Sequence, residues 1–182
     1  MARGLCAALL ATVSLLAVPA GPASAALAWV TRDDLDDDPE NRWIEDGVGS
    51  GGAFFVDGDG RLGTVAGLLY VNVVGGWSSL GRTVNIPAAT PHCTASIYLA
   101  PLLQRGDGNL YVWVEVIDPA TWTYLAVKQT NLRWTDDQYS KFTTPRFTAS
   151  QVFFRVAVYG PDRYGLQTSA FMDDMRFDCS SV

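Results

Sequence analysis

The segment VFFRVAVY (residues 152–159), followed after a polar turn by AFMDDMRFDC (170–179), decides the fold. In the first, Val152, Phe154, Val156 and Val158 share one face, while Phe153, Arg155, Ala157 and Tyr159 share the other. A period of two over that length predicts a strand with one buried side. In the second, Met175, Phe177 and Cys179 fall on one face, but the step from Met172 to Met175 is odd. The alternation therefore slips at Asp173 and Asp174, which predicts a β-bulge holding two carboxylates next to buried apolar groups.

Working outward, similar strand patterns recur at 54–56, 68–74, 80–86, 93–99, 110–117, 124–130 and 142–148. Between them stand GG, PAATP, PLLQRGDGN, DPAT, NLRWTDD, TAS and GPDRYG, all turn chemistry. No segment keeps a helical period and no repeat of fixed length appears. The simplest architecture is all-β: a single antiparallel β-sandwich, or jelly roll, over residues 63–182. Residues 26–62 are acidic and glycine-rich with little periodic signal, and are expected to pack on that sandwich as an irregular segment.

Residues 1–25 have the three parts of a secretion signal: Arg3, the apolar run Leu5 to Val18, then small residues ending Ala23-Ser24-Ala25. The apolar run is shorter than the roughly 20 residues a membrane span needs. Cleavage after Ala25 would leave a secreted monomeric domain with no membrane partner. It would remove Arg3 and Cys6, leaving twelve basic against 19 acidic residues. So acidic a chain repels phosphate backbones, which argues against nucleic acid as a partner. The two remaining cysteines, Cys93 and Cys179, both alternate in phase with core residues, and an even count in an exported chain predicts that they form a disulfide.

The run TRDDLDDDPE (31–40) places Asp34, Asp36, Asp38 and Glu45 at spacings that imitate an EF-hand loop, but Pro39 stands where glycine must make the sharp turn. The EF-hand is rejected; a solvated acidic loop, or acids lent to a metal site elsewhere, remain. Catalysis has little to stand on. His92 is the only histidine, there is no G-x-S-x-G elbow, and adjacent carboxylates on a strand face opposite sides and cannot flank one glycosidic bond. The sequence predicts a protein that is not an enzyme.

GWSSLGRTVNIPAATPHCTASIYLAP (76–101), NLYVWVEV (109–116), KFTTPRFTAS (141–150) and FMDDMRF (171–177) together resemble the galactose-binding-domain-like jelly roll of carbohydrate-binding modules, particularly families 4 and 9 of secreted actinobacterial proteins. The resemblance covers residues 63–177. It implies a non-catalytic, lectin-like module whose partner is a polysaccharide or other glycan. It also implies a structural calcium ion at the terminal acidic pair, Asp173 or Asp174, although the early Phe-Glu segment that usually completes such a site is absent. An acid from 33–45 would have to replace it.

A sugar site needs rings that stack on pyranose faces and polar groups that bond hydroxyls. Opposite the core positions of the middle strands stand Tyr111, Trp113, Glu115, Arg155 and Tyr159, with Tyr98 and Tyr70 on neighbouring strands. Two readings of this face stay open: a groove, or a surface covered by residues 26–63. Trp77, Trp122 and Trp134 adjoin turns, and Glu115 and Arg155 can neutralise each other. The alternative function is an extracellular structural or protein-interaction sandwich with no sugar site.

Overall fold

The computed structural model describes residues 26–49, 51–104, 110–132, 138–160 and 168–182; the signal-like segment, Trp134 and parts of four connecting turns lie outside the described residues. Among them are twelve strands: β1 Ala28–Asp33, β2 Ile44–Val48, β3 Gly51–Asp57, β4 Val65–Val71, β5 Trp77–Asn85, β6 His92–Gln104, β7 Leu110–Ile117, β8 Tyr124–Leu132, β9 Ser140–Thr143, β10 Phe147–Thr148, β11 Gln151–Tyr159 and β12 Thr168–Ser180. They form two antiparallel sheets. In the five-stranded sheet the order is β2-β5-β11-β7-β8. The seven-stranded sheet is built on the long pair β6 and β12, with β4 and β1 along the free side of β12, β3 beyond β4, and β9 and β10 along the free side of β6.

The two closing strands do not pair with each other but span the sandwich: β11 lies in one sheet and β12 in the other. Val152, Phe154, Val156 and Val158 of β11 and Met172, Met175, Phe177 and Cys179 of β12 are all buried and meet in one core. Phe154 stands edge-on to Phe177 at 5.6 Å, and Trp43 edge-on to Phe154 at 6.2 Å. Burying each such side chain stabilises the fold by about 1.5–3 kcal/mol.

The bulge is where the broken alternation places it. Asp173 pairs with Tyr98 and Arg176 with Ser96, so two residues are accommodated between successive rungs, and Asp174 takes a left-handed φ of 51°. Both Met172 and Met175 thereby reach the core. Cys93 and Cys179 are bonded to each other across directly paired positions of β6 and β12.

Residues 26–62 are not an irregular cover. They supply β1, which extends the β12 edge, β2, which closes the five-stranded sheet on β5, and β3, which closes the other sheet on β4. Alternation was hard to see because every residue of β2 is exposed and β3 opens on two glycines. The acidic run is likewise structural at its start. Asp33 is buried and accepts hydrogen bonds from Trp43 Nε1 at 3.1 Å and from Arg82, with Arg42 at 3.0 Å, tying the first strand to β5. The predicted strand at 142–148 is divided into β9 and β10 around Pro145, whose missing N–H cannot join a ladder.

Candidate functional site

The outward face of the five-stranded sheet gathers most of the chemistry. Strand pairing aligns Gly81, Arg155, Glu115 and Val127 in one row and Asp46, Ser79, Ala157, Trp113 and Gln129 in the next. Trp77 pairs with Tyr159 at the end of β11, and Tyr111 continues the face on β7. Trp113 stands opposite Ala157, and its ring is tilted against that of Tyr159, ring centroids 5.3 Å apart. At the opposite end Trp122 stands over Phe153 at 5.6 Å. Phe153 lies close against Gly81, where an added Cβ would come within 2.5 Å of its ring.

Trp122 is held in the β7–β8 turn by Asp118, whose backbone carbonyl accepts the Trp122 N–H at 2.8 Å and whose carboxylate accepts the Ala120 N–H and the Thr121 hydroxyl. Those hydrogen bonds hold the Asp118 carboxyl below its usual pKa. Trp122 itself adopts φ 55° and is 64% exposed. A bulky residue in left-handed backbone is an outlier that the turn must enforce, and here it presents an indole to solvent.

Under the rings lies an ion pair. Glu115 is fully buried, and Arg155 donates from Nε to its Oε2 at 2.5 Å while its guanidinium rests 5.3 Å from the centre of the Trp77 ring. Burial alone would pull the Arg155 pKa down, but the hydrogen bond and charge of Glu115 more than offset it. The other carboxylate oxygen, Oε1, is buried and has no hydrogen-bond partner among the described residues. An acceptor in that state costs free energy unless a donor reaches it. Tyr159 beside it is raised above the usual tyrosine pKa, by burial and then by the Glu115 charge, so its hydroxyl stays a hydrogen-bond donor.

Tyr111, Trp113, Glu115, Arg155 and Tyr159 thus share one face, at the places the alternation assigns. Tyr98 and Tyr70 do not: they belong to β6 and β4 of the other sheet, on the far side of the molecule. The period of two tells which residues share a face of one strand, and not which strands share a sheet. Trp77, Phe153 and Trp122 join the face although turn position alone gave Trp77 and Trp122 no assignment to it. The N-terminal segment does not lie across these rings; it forms the sheet edges, and Tyr111 remains 39% exposed.

The acidic pair at the bulge was expected to hold calcium; in this structure both carboxylates are engaged by groups of the protein. Asp173 is buried, accepting the main-chain N–H of Arg61 at 2.8 Å on Oδ2 and that of Asp174 at 2.6 Å on Oδ1. The Asp174 carboxylate is held by Arg61, through Nε at 2.6 Å and its terminal nitrogen at 2.5 Å. Calcium wants six to eight oxygen ligands. Among the described residues no three acidic, histidine or cysteine groups converge on one point, and the donors at the bulge complement a carboxylate rather than a cation. Of the early acids, Asp36 accepts the Val65 N–H and Glu45 the Ala53 N–H.

No protein-family model matches the sequence, and no curated protein matches it. Solved structures do. The CBM22-1 xylan-binding domain of Paenibacillus barcinonensis Xyn10C superposes with a TM-score of 0.55 at 10% identity, over 82% of this chain and 92% of that one. The carbohydrate-binding module TmCBM27, described for specific mannan recognition, gives 0.51 at 19% identity, over 85% and 99%. TmCBM61, solved with β-1,4-galactotriose, gives 0.52 at 14% identity, over 74% and 86%. The fold is the jelly roll of carbohydrate-binding modules. At these identities the likeness concerns fold, and function has to be argued from the site.

Proposed function

We propose that this protein is a non-catalytic, extracellular carbohydrate-binding domain that holds a polysaccharide chain along the outward face of its five-stranded sheet. One observation carries the reading: a partly exposed guanidinium, Arg155, fixed by fully buried Glu115 in the middle of a face of partly exposed rings. Trp113, Tyr159, Tyr111 and Trp77 offer flat apolar surfaces to pyranose rings, while Arg155, positioned from beneath by Glu115, donates to a sugar hydroxyl. The pair is rigid because both ends are packed, so little ordering entropy is lost when a sugar arrives. Three features support the extracellular part: the signal-like segment at residues 1–25, the Cys93–Cys179 bond, and the fold shared with xylan- and mannan-recognising modules.

Affinity electrophoresis of the full chain through gels containing xylan, mannan, β-1,4-galactan or mixed-linked β-glucan tests the reading. Retardation by at least one neutral polymer, relieved by its soluble oligosaccharide, is expected. Unchanged mobility in every gel would leave the alternative, a structural or protein-interaction sandwich.

A further inference from the structure

The outward face of the other sheet carries a second constellation, on strands that take no part in the groove. Arg32 of β1 stands directly opposite Arg176 of β12, and Tyr98 of β6 directly opposite Lys141 of β9. These side chains, with Arg61, Ser96, Met175 and one carboxylate, Asp174, line a depression of about 130 Å³. The guanidinium of Arg61 lies over the Tyr98 ring at 4.2 Å. Four cations therefore surround one small opening on a chain whose net charge is −6.

Their neutralisation is incomplete. Arg61 is paired with Asp174, and Arg176 with Asp178, where Nε reaches both carboxylate oxygens at 2.8 Å. Arg32 and Lys141 form no ion pair with a described residue; both are exposed and act on Asp178 only through space, helping Arg176 to hold its carboxyl below the usual pKa. Like charges directly opposite on antiparallel strands destabilise a sheet. Arg32 facing Arg176 is such a pair, in a protein with acids to spare. Arg176 is offset by Asp178, so the compensation still missing is for Arg32 and Lys141, and it can come from outside the chain. An oxyanion seated between Arg32, Arg176 and Lys141 would supply it, with the planar fork of Arg32 suited to bidentate contact. The Ser96 hydroxyl is not available for that contact, since it points to the Arg176 carbonyl at 3.5 Å.

We propose that this depression is a second binding site, for the carboxylate or sulfate group of an acidic polysaccharide, on the face opposite the aromatic groove. It takes a charged substituent and is independent of the neutral-sugar reading, because none of its residues lies on the five-stranded sheet.

The test is calorimetric titration of the full chain and of R32Q/K141Q with galacturonate oligosaccharide, chondroitin sulfate oligosaccharide and a neutral xylo-oligosaccharide of equal length, at 50 and 300 mM NaCl. Both substituted residues are exposed, so the variant folds. At low salt at least one acidic ligand is expected to bind the wild type, and R32Q/K141Q to bind it tenfold or more weakly, with high salt weakening the wild type as well. Galacturonate binding alone identifies a carboxylate site, chondroitin sulfate alone a sulfate site, and both an oxyanion site that does not discriminate. Neither binding, or binding that R32Q/K141Q leaves unchanged, overturns the proposal. The neutral ligand reports on the groove separately, and its affinity should be the same in both proteins whichever way the acidic ligands behave.

Discussion

At the level of single residues, Glu115 has the most exacting position. It is buried, it anchors Arg155, and one of its oxygens has no hydrogen-bond partner among the described residues. Glu115→Ala strands the half-buried guanidinium and should cost about 2–3 kcal/mol in chemical denaturation; Glu115→Gln, which keeps a neutral acceptor, should cost less while still weakening sugar binding. A loss for Glu115→Gln as large as for Glu115→Ala would show that charge, and not acceptor geometry, matters there. Asp173 makes a prediction of opposite character. Burial raises its pKa first, with repulsion from Asp174 and Asp36 adding to this and the two N–H bonds opposing. A carboxyl with a raised folded pKa binds its proton more tightly in the native state. Its contribution to stability is therefore greatest below the ordinary carboxylate pKa and is lost as pH climbs through the raised value. Comparing urea midpoints of the wild type and Asp173→Asn across pH 3–7 isolates that slope: the wild type should lose stability relative to the variant as pH rises. A constant difference would mean that Asp173 titrates normally.

At the level of elements, the bulge of β12 and the bond from β12 to β6 carry the argument. Arg61 closes the bulge by pairing with Asp174, while its main-chain N–H bonds Asp173. Because both carboxylates are taken up by main-chain N–H groups and by Arg61, the thermal midpoint should be indifferent to EGTA and to added calcium; a fall with chelator would place an ion there after all. Arg61→Ala, by contrast, frees Asp174 beside buried Asp173 and should lower stability by roughly 1 kcal/mol, modest because the pair is partly exposed. Cys93 and Cys179 close a span of 86 residues between adjacent strands. Reduction, or Cys93→Ala with Cys179→Ala, should cost about 2–4 kcal/mol without changing the sheet signature in circular dichroism.

At the level of the whole molecule, the two sheets turn different faces outward: one aromatic, over the Glu115–Arg155 ion pair, the other basic around Tyr98. Much of this was legible in the sequence. Alternation along 110–117 and 152–159 assigned Tyr111, Trp113, Glu115, Arg155 and Tyr159 to outward positions, and the odd step between Met172 and Met175 located the bulge. What alternation does not contain is the order of strands. Tyr98 reads like Tyr111, yet β6 and β7 belong to different sheets, so only the assembled fold separates an aromatic face from a basic depression. Edge strands were lost for a related reason: β2 is exposed throughout, and with no buried side there is no alternation to read. The central claim is that rings on the five-stranded sheet grip a glycan, and titration of wild type and Trp113→Ala with the oligosaccharide of whichever neutral polymer retards the protein tests it most directly. The account predicts one site in the wild type, weakened roughly 30-fold in Trp113→Ala, as for an aromatic hot spot worth about 2 kcal/mol. Equal affinity in the two proteins would contradict it.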